Sequence, residues 1–180
     1  MPPTRNPEQL AKRLLKELDV KSPPVDLDRI ADHLQITITN EDFEDELSGV
    51  LIKEDKETVI GVNENHPVTR RRFTIAHEIG HFLLAHPGQM FVDKTLRQKA
   101  VVVRRDGRSS EGTDAQEIEA NRFAAELLMP TDIVLEEITK RLKKHPSQTS
   151  EDLASDMAEL FGVSEKAMEY RLINLGCLLV

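Results

Sequence analysis

Residues 73–86, "FTIAHEIGHFLLAH", decide how this chain is read. The stretch has the character of one helix, apolar nearly all the way round, yet His77, Glu78 and His81 sit inside it. Burying such groups without partners is costly. His77 and His81 are four residues apart, which on a helix stacks them on one face, about 40° apart in projection. Two imidazoles so placed can grip one cation, and coordination would satisfy them. Glu78 adjoins the first histidine and reaches the same region.

"HEIGH" is therefore H-E-x-x-H, the pattern in which two histidines bind zinc and the glutamate is the general base of a metallopeptidase. The pattern fixes only three positions, so chance matches occur, most often on exposed amphipathic helices. Here the flanking Phe73, Ile75, Ala76, Ile79, Phe82 and Leu83 predict a buried helix.

A catalytic zinc takes a third protein ligand and keeps one position open. "AQEIEANRFAAELLMP", a second strong helix, offers Glu117, Glu119 and Glu126. In projection Glu117 lies within about 40° of Asn121, Ala124 and Leu128. Phe123 and Leu127 widen that apolar arc on one side, Ile118 and Ala125 on the other. Glu119 and Glu126 fall opposite, beside Arg122, and are expected to form a solvated charge cluster with it. Glu117 on a core face needs a partner, and zinc would be one. Asn121, one turn on, is placed either to hydrogen-bond the outer nitrogen of a ligating histidine or Glu117 itself, or simply to bond the backbone. His86 is expected to cap the first helix rather than ligate. His66, before Pro67, is a loop residue or faces the cleft. His33 and His145 have no motif around them.

The periodicity predicts a helix over 7–18 and a short helix "LDRIADHL" capped by Asp26. "QITIT", "LSGVLIKE" and "ETVIGVNEN" read as strands of a small antiparallel sheet. The histidine helix starts near Pro67 or Val68, with "PGQM" ending it. "AVVVRR" is a candidate strand and "DGRSSEGTD" a polar loop. Helices near 131–144, 150–161 and 164–175 follow the second motif helix. The order is α+β: a small antiparallel sheet on a mostly helical core over residues 1–145, the part that holds both motif helices and to which the resemblance described below assigns a zincin-like metallopeptidase domain. Residues 146–180 form a C-terminal helical segment packed on it, with a helix-turn-helix-like pattern.

Bulk properties narrow the classes. There is no apolar run long enough to span a membrane, and no apolar signal core at the N-terminus. Cys177 is the one cysteine among 180 residues, so no intrachain disulfide forms, which suits a reducing cytoplasm. A net charge of −8 argues against a general phosphate-binding surface and leaves room for basic partners.

"RRRFTIAHEIGHFLLAH" together with "EIEANRFAAELLMP" resembles the ImmA/IrrE family of zinc metallo-endopeptidases. Upstream, "PPVDLDRIADHL", "LSGVLI" and "VIGVNENHPVTRRRF" resemble the family's entry helix and small sheet, so the likeness covers most of residues 7–130. It implies a thermolysin-like layout, with zinc on His77, His81 and Glu117 and Glu78 as catalytic base. The family's E-x-x-A-N-x-F-A motif falls on Glu117, Ala120, Asn121, Phe123 and Ala124, in agreement with the projection. Members are often linked to DNA-binding repressors that they cleave or inactivate, which implies such a repressor as protein substrate, in the cytoplasm. Some members carry an N-terminal helix-turn-helix or a C-terminal sensing domain; this chain is expected to have neither.

The sequence leaves the oxyanion donor open among Tyr170, His66 and the Arg70–Arg72 run, the last of which would otherwise be a solvated helix entry or pair with "EDFEDE". The competing reading is a DNA-binding or repressor-docking module with a structural zinc and no proteolysis, suggested by "LASDMAELFGVSEKAMEYRLINLG". Against it, residues 151–176 hold six acidic residues and only Lys166 and Arg171 as cations, the reverse of a DNA reader's balance. No direct nucleic-acid contact and no membrane association are expected.

Overall fold

The computed structural model describes residues 6–44, 47–53, 57–86, 110–147 and 149–178. Its elements run α1 (Pro7–Glu17), α2 (Leu27–Leu34), β1 (Ile36–Glu41), β2 (Gly49–Lys53), β3 (Thr58–Asn63), α3 (Val68–Leu84), α4 (Ser110–Leu128), α5 (Thr131–Lys144), α6 (Ser150–Phe161) and α7 (Glu165–Asn174). This is an α+β fold: a small sheet beside a mostly helical body.

Local chemistry sets most helix starts. Asn6 accepts from Gln9 N at 2.8 Å, Asp26 from Arg29 N at 3.0 Å, Thr149 from Asp152 N at 3.1 Å and Ser164 from Ala167 N at 3.2 Å. Each cap satisfies a donor that the first helical turn leaves without a partner. The start of α4 lies earlier than the sequence suggests: residues 110–114, expected in a loop, already belong to the helix. Residues 100–105, a candidate strand, and "PGQM" at 87–90 lie outside the described residues. The histidine helix is ended by Ala85, which takes the left-handed conformation at φ 55°.

The sheet order is β1-β3-β2, and the pairing corrects one expectation. β2 and β3 form the expected antiparallel pair, but β1 joins β3 in parallel, from Ile36 opposite Thr58 to Glu41 opposite Asn63. The reason lies in the connection after β1, which carries the chain across to the far edge before β3 returns to the centre. Buried Asn63 gathers that connection: its Nδ2 donates to the carbonyls of Phe43 and Glu44 at 3.2 Å and of Leu47 at 2.9 Å.

α3 lies between the sheet and α4. Ala76, Ile79 and Gly80 on α3 meet Ala120, Phe123 and Ala124 on α4, all fully buried or nearly so. Small residues let the two backbones approach closely. A Cβ on Gly80 would stand 3.3 Å from the Ala120 backbone and 3.1 Å from Phe123 Cδ1. α1 crosses α4 with Ala11, Leu14 and Leu15 inward. Leu153, Met157 and Phe161 of α6 and Met168 and Leu172 of α7 belong to the same apolar cluster as the rest.

The arginine run at the start of α3 ties these layers together. Arg70 Nη2 donates to Ser48 Oγ at 2.8 Å, and Arg71 Nη1 to Asn40 Oδ1 at 3.2 Å. Arg72 reaches in two directions, to Val25 O at 2.8 Å and to Gly162 O at 3.1 Å. Burial lowers the Arg72 pKa, opposed by the charges of Asp26 and Asp28. Gly162 ends α6 at φ +65°, and a Cβ there would stand 3.1 Å from Arg72 Nε. Both the backbone angle and this close approach call for glycine.

Candidate metal centre

The close α3–α4 contact brings Glu117 opposite the two histidines. His77 Nε2 and His81 Nε2 are 2.9 Å apart; Glu117 Oε2 lies 3.2 Å from the first and Oε1 3.5 Å from the second. One ligand atom from each of the three falls within 4.8 Å of the others, so the cluster could hold a metal ion. Four ligands at about 2.0–2.1 Å around a tetrahedral centre stand about 3.3 Å apart, and these spacings fit it. The Glu117 carboxylate is not buried as the projection implied; its side chain is 42% exposed.

The hydrogen bonds beyond the cluster engage the outer nitrogens, so that the two Nε2 atoms face each other and Glu117. His77 Nδ1 is 3.0 Å from Asn121 Oδ1, an acceptor, so this nitrogen carries the proton and Nε2 carries the lone pair. On the other side His81 Nδ1 is 2.9 Å from His86 Nδ1, whose Nε2 is 3.0 Å from Glu119 Oε2. The His81 pKa is held down to about 4, first by burial and then by neighbouring His77, against an opposing pull from Glu117. His81 is therefore neutral at neutral pH, the form that binds metal.

Glu78 sits beside the cluster with its pKa pushed up to about 7, mainly by burial and further by the Glu117 charge. A carboxyl poised there can both take and give a proton at neutral pH. It also has a consequence for the metal-free chain. Because the folded value exceeds the ordinary 4.5, the native state holds the proton over that window, and stability falls as pH rises from about 4.5 through about 7. Glu78→Gln removes the ionisation. Metal-free Glu78→Gln is expected to match the parent at pH 4 and exceed it at pH 8 by up to roughly 3 kcal/mol in urea unfolding. Equal stability at both pH values would show that Glu78 ionises without penalty.

Other readings move. Glu126 is not part of a surface cluster: it is 2% exposed and pairs with Arg171 of α7. Glu119 is turned to His86, and Arg122 reaches Glu8 at 3.9 Å on the surface. Ile118, placed on the apolar arc, is 53% exposed. A single apolar face is the wrong picture for α4, which is packed by α3 on one side and α1 on another. His86 does cap α3, its N–H reaching His81 O at 3.3 Å, but its ring has a second contact set that sequence reasoning missed. His66 is buried in the turn before α3, its N–H donating to Asn63 O at 3.3 Å. Tyr170 is 58% exposed on α7, under Lys166 Nζ at 5.9 Å, and among the described residues nothing brings it to the cluster.

The family model for the IrrE N-terminal-like domain, a peptidase family, matches residues 31–173. The chain belongs to this family. The match extends over β1 to α7 and includes both motif helices. A curated relative, described as uncharacterized immunity region protein 2 of Bacillus phage phi105, is 28% identical over 130 residues, covering 72% of this chain and 75% of its own. A solved structure described as a Mycobacterium tuberculosis transcriptional regulator shares the fold at a TM-score of 0.59 and 20% identity, over 92% of this chain. This chain spans about half of that one, 46% of its length. Among the described residues no helix is long and apolar enough to cross a membrane.

Proposed function

We propose that this chain is a zinc-dependent endopeptidase whose substrate is a DNA-binding repressor sharing its cytoplasmic compartment. The observation that carries the reading is the convergence of His77 Nε2, His81 Nε2 and a Glu117 oxygen within 4.8 Å, beside a glutamate whose pKa lies near 7. His77, His81 and Glu117 would hold the ion, which when bound supplies a Lewis acid that polarises the scissile carbonyl and acidifies water. Glu78 takes the proton from the attacking water and returns it to the leaving amine. Asn121 keeps His77 in its coordinating tautomer. The half-exposure of Glu117 supports a peptide entering from its side.

Membership of a peptidase family supports the chemistry, and the phage relative's name supports a regulatory setting. A net charge of −8 suits a partner with a basic DNA-reading face, mainly through encounter rate and specificity. The α6–α7 pair has the outline of a helix-turn-helix, but of its two cations Arg171 is turned inward onto Glu126. That leaves the pair a poor phosphate reader and favours its packing role.

The parent chain is expected to bind about one zinc and to cut a repressor encoded beside it, with chelator abolishing the cut. Glu117→Ala is expected to lose the metal, read by elemental analysis after dialysis. Zinc retained by that variant at parental stoichiometry removes Glu117 from the ligand set. Fast, chelator-sensitive digestion of casein with the repressor left intact would replace the restricted substrate with a general one.

A further inference from the structure

We infer that His86 and Glu119 are positioning residues that fix the coordinating form of His81, an inference that rests on the metal reading above. The arrangement begins in the backbone. Ala85 turns left-handed at φ 55°, although it is not glycine, and this folds the chain back so that His86 caps His81 O. The same turn lays the His86 ring against the ring of His81, centroids 5.1 Å apart, and buries His86 to 8% exposure. On the far side α4 supplies Glu119, half-exposed, with Oε2 at 3.0 Å from His86 Nε2.

The proton positions follow in sequence from the carboxylate. Glu119 can only accept, so His86 Nε2 is the donor. A neutral His86 then presents an unprotonated Nδ1. Only one proton fits between His86 Nδ1 and His81 Nδ1, 2.9 Å apart, so it resides on His81. That leaves the lone pair of His81 on Nε2, the atom facing His77 and Glu117. A surface carboxylate thus sets which nitrogen of a buried imidazole is offered to the ion, with a second histidine as the spacer. His77 receives the same service from Asn121 directly. Partners of this kind orient a ligating ring, and their loss lowers metal affinity about 10–100-fold without removing a ligand.

The test is zinc affinity of the full chain, measured by competition with a chromophoric chelator, with the Co²⁺ absorption spectrum as a reporter of the ligand set. His86→Phe and Glu119→Leu are each expected to weaken zinc about 10–100-fold while the Co²⁺ bands keep their tetrahedral pattern. Glu119→Gln, which keeps an acceptor, is expected to recover much of the affinity. The double variant is expected to be no weaker than His86→Phe alone, because both changes break one chain of contacts. Should His86→Phe fail to fold, the half-exposed Glu119 position still decides the matter. A parent that binds zinc while both single variants bind within two-fold of it overturns the inference and spares the metal site. A parent that binds no zinc overturns the metal reading and this inference together.

Discussion

Glu78→Gln is expected to retain zinc and the fold while turnover falls by about 10²–10⁴-fold, the range associated with a positioned general base. The side chain is half-buried on α3 between the two histidines of the motif, and its pKa of about 7 reflects burial first and the Glu117 charge second. Glutamine keeps the shape and loses the capacity to carry a proton. Loss of an interaction made in the transition state lowers kcat and kcat/KM together, with KM little changed. The measurement is single-site cleavage kinetics beside metal analysis of the same preparation. A variant that cuts at the parental rate would remove Glu78 from the mechanism; one that has lost its zinc would make the residue structural.

Arg171→Met is expected to cost about 3–5 kcal/mol of stability, the range for breaking a buried ion pair from one side. Glu126, 2% exposed, accepts from Thr131 N at 3.0 Å and from Thr131 Oγ1 at 2.8 Å, and so caps the start of α5. Arg171 closes the arrangement from α7. Its guanidinium contacts Glu126 Oε2 and donates to Met129 O at 3.0 and 2.8 Å and to Thr131 Oγ1 at 3.0 Å. Without the arginine the carboxylate keeps Lys12 Nζ at 3.9 Å as its neighbouring cation, at the edge of useful reach. Denaturant unfolding of the single variant and of Glu126→Gln/Arg171→Met checks this. The double variant is expected to regain part of the loss, because no buried charge is left alone. A single variant within 1 kcal/mol of the parent would mean that water or Lys12 serves Glu126 as well as Arg171 does.

What could be read in advance was what is local. The His77–His81 spacing, the cap at Asp26 and the extents of α5 and α6 follow from residues within a turn or two of each other. Glu117 could be singled out by projection because its neighbours on that face are mostly apolar, although its exposure could not. Features built from distant segments were hidden. The parallel β1–β3 pairing depends on where the intervening strand is laid, and the Asn63 side chain that organises the crossing gives no pattern of its own. Glu126 was misassigned because projection assumes one buried face, whereas α4 is enclosed on more than one side. The His86–Glu119 contact needs a left-handed alanine, which no glycine announces.

Arg72 has the widest reach of these distant contacts. One guanidinium holds a carbonyl just before α2 and another at the end of α6, while its own backbone is in α3, five residues before His77. The helix that bears the histidines is thereby moored at its entrance to both the early and the late parts of the chain. A change that displaces the α6–α7 turn would therefore act on Arg72 through its bond to Gly162 O. A C-terminal truncation that removes the end of α6 would take away the Gly162 partner of Arg72, and is expected to loosen the entrance of the helix that bears His77 and His81.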